Sequence, residues 1–431
     1  MNLPIFCSSI LLVLTCLVTL CLAMLEAGAI PSITLIVGTY ASLCILYLFI
    51  IWKFRAENSQ SKILVLIAAA VAARIILCFA PPILNSDIWR YLWDGSLIAN
   101  GINPYLHAPN EASFFAINTK NLFKIQNPGL NSIYSPYALY LFSILAISDF
   151  TWKLFIVACD IANILIILRI LNILGKKAGN VLIYAVLPVA LIESGASGRL
   201  EVVFILCFLS LIYFSIAKID DNRWIKIGIF SSIGFLINPI FIIPLLLFLY
   251  KSNLFSKKEK FQISFLFVII CVLSYMPLID SNWAYLKNLK NFTLSLHFND
   301  GTIYLLDWAT STNFSMQQLK IMLLVSYSVF LIFIGKRQEN WLKASILGLL
   351  LLALMNGTFY PSYLLWFAPI LCLTNLPILI YLALILPVTY YFQIMNLNVP
   401  IYLKLAEFLP IWFFIVMGDR RNTREIAYSA E

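Results

Sequence analysis

Charged residues are scarce in this sequence: Asp, Glu, Lys and Arg make up only 11% of its 431 residues, whereas 62% are hydrophobic. Soluble domains carry roughly 25% charged residues, so the composition excludes an ordinary soluble protein. The alternating pattern of a membrane β-barrel is also missing. With a mean hydropathy of +0.92, the sequence predicts an all-α, polytopic bundle of transmembrane helices.

Metal-site and disulfide patterns are missing as well. There are two histidines, and the nine cysteines lie within or beside apolar runs without the spacing of a metal site or a disulfide framework. The N-terminus has no basic region and no clear cleavage site, so we interpret it as a retained first helix. No separate soluble domain or obvious repeat is visible, and we expect residues 1–431 to form a single integral membrane domain.

The number of membrane passes follows from the apolar runs, because a helix needs about 20 apolar residues to cross a bilayer. We predict about 11–13 passes on that basis. The candidate spans are 4–24, 31–52, 63–83, 154–174, 178–196, 201–217, 261–279, 318–335, 344–357, 363–392 and 403–418. Segment 134–148 is expected to be a short interfacial or re-entrant helix. The apolar run after 223 is expected to break at Asn238-Pro239, since proline removes a backbone donor.

Lysine and arginine in short loops indicate the cytoplasmic side, and the net charge of +9 reflects such loops rather than nucleic-acid binding. Four segments are then expected outside: 84–133, 193–201, 280–317 and 356–363. We predict a multi-pass protein of the cell inner (plasma) membrane with its site on the periplasmic or extracytoplasmic side. An endoplasmic reticulum membrane is the alternative, and the Ile- and Lys-rich composition favours the bacterial one.

Residues 85–105, NSDIWRYLWDGSLIANGINPY, combine charges with aromatic rings directly after the third predicted span. Asp87, Arg90, Tyr91 and Asp94 share one face of a helix by their spacing. We predict an amphipathic helix at the interface, with the tryptophans toward lipid and the charges toward water or a cleft. A carboxylate at this depth can act as a general base, and arginine can bind a phosphate. In the alternative interpretation, the tryptophans and tyrosines are ordinary membrane-interface residues and the charges have no catalytic role.

Four stretches share a pattern known from one protein family. They are Asp87 with RYLWDG at 90–95 and NPY at 103–105, IYSPYALYLF at 133–142, IESGASGRLEVV at 192–203, and YPSYLLWFAP at 360–369. In them the chain resembles membrane GT-C-type glycosyltransferases, above all the polyprenyl-phosphate-mannose-dependent mannosyltransferases. That branch includes the mycobacterial alpha-mannopyranosyltransferases and the catalytic subunit of GPI mannosyltransferase I. Arg199 stands where the family usually has histidine, and Tyr360 and Ser362 replace a histidine and a tryptophan.

The resemblance implies transfer of a sugar, expected to be mannose, from a polyprenyl-phosphate donor to a lipid-linked or glycan acceptor at the outer face, with inversion. Asp87 is the candidate general base. The candidate substrate-binding residues are Arg90, Tyr91, Asp94, Asn103, Tyr105, His107, Arg199, Glu201 and His297. Besides the donor and the acceptor, membrane lipids are the expected partners, and nucleic acid is not. No cofactor is expected, with a divalent metal at Asp87 and Asp94 as the alternative.

Each of these candidates also has a purely structural interpretation. Asp87 can cap the helix that begins beside it. Arg199 can pair with Glu193 or Glu201 instead of a phosphate. Asp94 can orient Arg90 or bind a sugar hydroxyl, and its structural alternative is a solvated loop charge. The aromatic residues and histidines can be interface anchors.

Two charges fall inside predicted spans, where an isolated charge is costly. They are Arg74 in 63–83 and Asp160 in 154–174, and we predict that they form one ion pair. If they did not touch, Arg74 would become a candidate substrate ligand.

Two other functions compete with glycosyl transfer: a transporter or flippase for lipid-linked sugars, and a non-catalytic protein that binds polyprenyl lipid. Transporters often contain internal repeats and broken helices. This sequence has one Asn-Pro break and no repeat, so glycosyl transfer is preferred.

Overall fold

A computed structural model describes residues 3–28, 33–84, 87–111, 122–217, 222–279, 283–295, 298–310, 314–338, 340–374, 377–394 and 397–417. In these ranges the secondary structure is helical, apart from one isolated bridge between Phe298 and Thr358. The predicted all-α class is confirmed. The described residues cluster into two compact units, and the expectation of a single domain stays a prediction.

Nineteen α-helices are described, and most of the longer ones are strongly apolar. In chain order they are α1 Leu3–Glu26, α2 Ile33–Phe54, α3 Gln60–Leu77, α4 Asp87–Ala99, α5 Pro136–Leu145, α6 Asp149–Ile173, α7 Leu182–Ala185, α8 Pro188–Leu191, α9 Glu201–Ile216, α10 Arg223–Ile237, α11 Ile242–Lys251, α12 Lys257–Tyr275, α13 Ala284–Ser295, α14 Gly301–Ala309, α15 Met316–Arg337, α16 Trp341–Met355, α17 Pro377–Ile385, α18 Thr389–Ile394 and α19 Ile401–Met417. A π-helix, Ile192–Ala196, follows α8.

Side-chain caps explain where several helices begin. The Ser148 hydroxyl accepts a hydrogen bond from the Thr151 amide at the start of α6, and Ser256 accepts one from Glu259 at the start of α12. Both are capping boxes, which satisfy backbone donors that a helix start leaves open. Pro136 opens α5, where its missing N–H costs no hydrogen bond.

Two expectations about interrupted helices are confirmed. Helix α10 ends before Asn238-Pro239, a 3₁₀ turn follows, and α11 begins at Ile242. The segment 134–148 contains α5, which is 10 residues long and therefore too short for a full crossing. Its interfacial position stays a prediction.

Six of the described helices are long and apolar enough to cross a membrane, and the bent pair Ala178–Ala185 and Pro188–Ala196 makes a seventh if it counts as one span. The six are Leu3–Glu26, Leu35–Phe54, Gln60–Leu77, Asp149–Ile173, Lys257–Leu278 and Met316–Arg337. The chain is thus a membrane protein. The expected total of about 11–13 passes also counts shorter apolar helices such as α9 and α16, and it stays a prediction.

Unit 1 comprises Met1–Phe241, Leu254–Asn291 and Ala368–Asn375. Its helices pack in pairs, with α1 on α3, α6 on α9, α9 on α10, α10 on α12, and α4 on α5. The last pair is very close: a Cβ on Gly95 would lie 2.6 Å from the Phe142 carbonyl carbon. Only glycine allows α4 and α5 to approach in this way.

The predicted ion pair lies in the core of unit 1. Arg74 Nε is 2.6 Å from Asp160 Oδ2, and both side chains are fully buried, so the prediction is confirmed. The Tyr184 hydroxyl donates to the same carboxylate, and Arg74 Nη1 donates to the Ala185 carbonyl at 2.7 Å. Ala185 ends α7, just before the chain bends by 63° toward Pro188–Ala196. The pair therefore connects α3, α6 and this bend.

Unit 2 comprises Ile242–Asn253, Phe292–Phe367 and Leu376–Glu431. Helices α11 and α15 pack on α16, and α14 and α17 pack on α19. The Phe298 amide donates to the Gly357 carbonyl, and the Phe359 amide donates to the Phe298 carbonyl, each at 2.9 Å. These bonds attach the chain before α14 to the segment that follows α16.

The predicted helix is present as α4, which begins at Asp87, but its surroundings differ from the expectation. Trp93 is 1% exposed and Asp94 is 0% exposed. The orientation of Trp93 toward lipid and of Asp94 toward water or a cleft is therefore wrong. The physical reason is that α4 is covered on several sides: α5 packs on it, and Trp93 forms an apolar cluster with Leu97 and Ile125.

Candidate active site

The predicted base Asp87 lies beside Arg199, 112 positions later in the chain. Arg199 Nη1 is 3.0 Å from Asp87 Oδ2, and Arg199 Nε is 3.3 Å from Glu193 Oε2. The side chain of Glu193 is 0% exposed, that of Arg199 8% and that of Asp87 47%. A buried glutamate thus anchors a guanidinium, and the guanidinium contacts a half-exposed carboxylate. We name these three residues the Asp87 site.

The turn that carries Arg199 is fixed by helix α6. Trp152 Nε1 donates to the Gly198 carbonyl at 2.7 Å. Gly198 has φ +58, a conformation that favours glycine, and a Cβ there would lie 3.1 Å from the Lys153 side chain. The turn follows the π-helix Ile192–Ala196, and such helices are frequent at functional sites. The fold therefore determines the position of the guanidinium.

Several groups keep Arg199 charged and oriented. Burial alone would lower its pKa, but the charges of Glu193 and Asp87 more than offset that effect and the pKa is raised. Arg199 Nη2 also donates to the Leu84 carbonyl at 3.3 Å. Because guanidinium binds phosphate as well as carboxylate, the site offers a fixed cation next to a candidate base.

Arg90 and Asp94 form a separate buried pair on α4. Arg90 Nε is 2.8 Å from Asp94 Oδ1, and Arg90 Nη1 donates to the Leu130 carbonyl at 2.6 Å. Burial raises the pKa of Asp94, and the Arg90 charge opposes that rise. The interpretation in which Asp94 orients Arg90 is confirmed, and the solvated charge is wrong. Both residues hold the loop after α4 against the helix.

Three further predicted residues lie inside the packing of unit 1. The Tyr91 ring stacks on Phe142, with centroids 4.5 Å apart. The Tyr105 hydroxyl donates to the Tyr134 carbonyl at 2.8 Å, and Asn103 Nδ2 donates to the Leu278 carbonyl at 3.2 Å. These bonds stabilise the loop that follows α4.

The remaining predicted residues are His107, Glu201 and His297. His107 Nδ1 is 3.0 Å from Glu111 Oε2 at a partly exposed position. Glu201 is half-buried at the start of α9, where its charge acts on Arg199. His297 lies outside the described residues. Asp87 and Arg199 are thus two predicted residues that the fold brings together from distant parts of the chain.

Sequence reasoning missed Tyr134 and Trp152, which shape this region. Burial raises the pKa of the Tyr134 phenol well above its ordinary value, and the nearby charge of Asp87 adds to the rise. Tyr134 belongs to the motif IYSPYALYLF, which was a usable signal. Trp152 belongs to none of the motifs, and its contact with Gly198 depends on how α6 packs.

The described residues contain no group of three or more His, Cys, Asp or Glu side chains that could hold a metal ion. The alternative metal pair of Asp87 and Asp94 does not fit this arrangement. Asp94 is buried against Arg90, and Asp87 contacts the guanidinium of Arg199.

A comparison with known sequence families supports one of the candidate classes. Residues 10–199 match the family described as "Alpha-(1->6)-mannopyranosyltransferase, N-terminal domain". This segment is similar to the N-terminal domain of that family. The resemblance to GT-C-type mannosyltransferases is confirmed, and the match supports glycosyl transfer with mannose. The matched segment includes all three residues of the Asp87 site. A search of curated proteins finds no match to the chain.

Proposed function

We propose that this protein transfers mannose from a polyprenyl-phosphate donor to a lipid-linked or glycan acceptor. The transfer takes place at the periplasmic face of the inner membrane and inverts the anomeric carbon. One observation carries the proposal: a half-exposed carboxylate, Asp87, is held 3.0 Å from the buried guanidinium of Arg199 within the segment that matches the mannopyranosyltransferase family.

The Asp87 site supplies the two groups that such a transfer needs. The acceptor hydroxyl oxygen attacks the anomeric carbon of mannose, and Asp87 takes the hydroxyl proton as general base. The bond between the anomeric carbon and the phosphate oxygen breaks, and the polyprenyl phosphate leaves with the electron pair. Arg199 stabilises the negative charge of this leaving group. Attack opposite the leaving group inverts the configuration.

The other residues act around this step. Glu193 is buried and holds Arg199 in place rather than contacting substrate. The loop after α4 is stabilised by Arg90, Asp94, Tyr91, Asn103 and Tyr105. The remaining candidates for substrate contact are His107, Glu201 and His297. We propose a mechanism without a metal, since the fixed guanidinium supplies the positive charge.

The proposal is tested by transfer assays with the full-length protein in liposomes. We expect transfer from polyprenyl-phosphate mannose but not from nucleotide-activated mannose, with the same rate in the presence of a chelator. NMR of the product should show the anomeric configuration opposite to that of the donor. Transfer from the nucleotide donor alone, retained configuration, or loss of activity on chelation would each contradict the proposal.

Replacing Arg199 by lysine tests the fixed cation. Lysine keeps the charge but lacks the planar fork that contacts Glu193 and Asp87 together. A misplaced cation can cost about 100-fold in rate, so we expect a loss of that order in kcat, measured with the polyprenyl donor. The matched control is Arg223→Lys, because Arg223 packs over the Phe255 ring away from the Asp87 site. A fully active Arg199→Lys variant would exclude a positioned guanidinium.

A further inference from the structure

Lys153 on α6 is a buried charged residue to which the proposed mechanism gives no role. Its side chain is 0% exposed. The ammonium donates to the Ala80 carbonyl at 2.6 Å, and it lies 3.5 Å from the Cys78 carbonyl and 3.3 Å from the Asp149 carboxylate. A buried charge is costly unless it is paired and hydrogen-bonded. A lysine at this position therefore indicates a role that an apolar side chain could not fill.

The ammonium of Lys153 holds the chain that leads to Asp87. Ala80 lies in the turn that follows α3. A little further along, the Leu84 carbonyl accepts a hydrogen bond from Arg199 Nη2 at 3.3 Å, and α4 then begins at Asp87. This turn is thus held at one point by Lys153 and at a second point by Arg199. We expect a displacement at Ala80 to move the carboxylate at the start of α4.

The aliphatic stem of the same lysine packs against the turn that leads to Arg199. A Cβ on Gly198 would lie 3.1 Å from Lys153 Cγ and 3.5 Å from Ile88 Cδ1. Gly198 directly precedes Arg199, and Ile88 directly follows Asp87. The two turns that carry the Asp87 site therefore meet one side chain, one turn at its ammonium and the other at its stem.

Helix α6 gives Lys153 a fixed base. Ser148 and Thr151 form the capping box at its start. The neighbouring Trp152 is 0% exposed and donates to the Gly198 carbonyl at 2.7 Å. Close-packed interiors transmit displacements instead of absorbing them. The first two turns of α6 thus form a rigid support for both turns of the Asp87 site.

We propose that Lys153 is a positioning residue for mannosyl transfer. Its ammonium at Ala80 and its stem at Gly198 together set the separation of the carboxylate and the guanidinium in the Asp87 site. Because its side chain is fully buried, it acts through the two turns and not on the substrate. Its effect on catalysis rests on the proposed function, whereas the link between the turns does not. The alternative is a lysine that only satisfies carbonyls at the end of α3, as cations often do at helix C-termini.

The decisive variant is Lys153→Met, tested in the full-length protein in liposomes. Methionine keeps an unbranched stem against Gly198 but has no donor for the Ala80 carbonyl. Misplacing a catalytic group by about 1 Å can cost about 100-fold in rate, so we expect kcat to fall about 10- to 100-fold while KM changes little. A lysine that only caps α3 would lower the melting temperature and leave kcat unchanged where the variant is folded.

Two further variants control for general damage to α6. Ile167→Ala opens a cavity at a fully buried position about 21 Å further along the helix axis. It should lower the melting temperature and keep the kcat of the wild type. Lys153→Gln is slightly shorter and keeps a neutral donor. It should lose kcat to a smaller extent than Lys153→Met, and it carries the test if the methionine variant does not fold.

Two measurements show whether Lys153 acts through the guanidinium and the turns. Lys153→Met/Arg199→Lys should transfer no more slowly than Arg199→Lys alone, because both changes misplace the same cation. Hydrogen exchange of Lys153→Met in detergent should become faster at backbone amides of 78–84 and 194–201. Exchange in α1 and α12 should stay at the wild-type rate.

Three results would overturn the inference. They are a wild-type kcat in folded Lys153→Met, rate losses that multiply in the double variant, and unchanged hydrogen exchange in both turns. A different outcome concerns the proposed function alone. If the wild type transferred no mannose while Lys153→Met still loosened both turns, the proposed function would be refuted and the link between the turns would stand.

Discussion

The Asp87→Asn variant is expected to lose mannosyl transfer by about 100- to 10,000-fold, the usual contribution of a general base. Asparagine has nearly the same shape, and its carbonyl still accepts a hydrogen bond from Arg199, but it cannot take a proton. The half-exposed position of Asp87 means that little packing changes. We therefore expect kcat to fall while KM and the melting temperature stay close to those of the wild type.

The control for this prediction is Glu57→Gln, which removes a carboxylate paired with Lys62 at 2.8 Å in the turn between α2 and α3. Its transfer rate should match the wild type. If Asp87→Asn transferred mannose at the wild-type rate, Asp87 would be only the first residue of its helix. Loss of folding in this variant, seen as a lower melting temperature, would likewise count against a purely chemical role.

Local features of this protein were predictable from its sequence because short-range rules produce them. The helix that carries Asp87 follows from the spacing of its charges after an apolar run, and the end of α10 follows from Asn238-Pro239. The contact between Arg74 and Asp160 was predictable for a different reason: two opposite charges inside apolar helices have few other partners.

Features that depend on which helices pack together were not predictable. The periodicity of α4 was read correctly, yet Trp93 is buried because α5 and the Ile125 segment cover that face. Glu193 and Glu201 were equal candidates as partners of Arg199, and the turn held by Trp152 places the guanidinium against Glu193 and Asp87. The contact of Lys153 with the Ala80 carbonyl, 73 positions earlier, left no signal in the sequence.

Removing either member of the Arg74–Asp160 pair is expected to have the largest effect on stability. Breaking a buried ion pair leaves the other charge without a partner and costs about 3–5 kcal/mol. We therefore expect Arg74→Met and Asp160→Leu each to lower the free energy of unfolding by that amount, measured by denaturant titration in detergent. The control is Arg169→Met on α6, whose side chain is exposed, with an expected change within about 0.5 kcal/mol.

The double variant Arg74→Met/Asp160→Leu distinguishes a pairing effect from two independent losses. If the single losses come from an orphaned charge, removing both charges should restore part of the stability. Recovery should be incomplete, because Arg74 also donates to the Ala185 carbonyl and Tyr184 donates to Asp160. If the loss of unfolding free energy in the double variant equalled the sum of the two single losses, the ion pair itself would contribute nothing to stability. Since Ala185 precedes the bend that leads to Glu193 and Arg199, we also expect the single variants to reduce mannosyl transfer at temperatures where they remain folded.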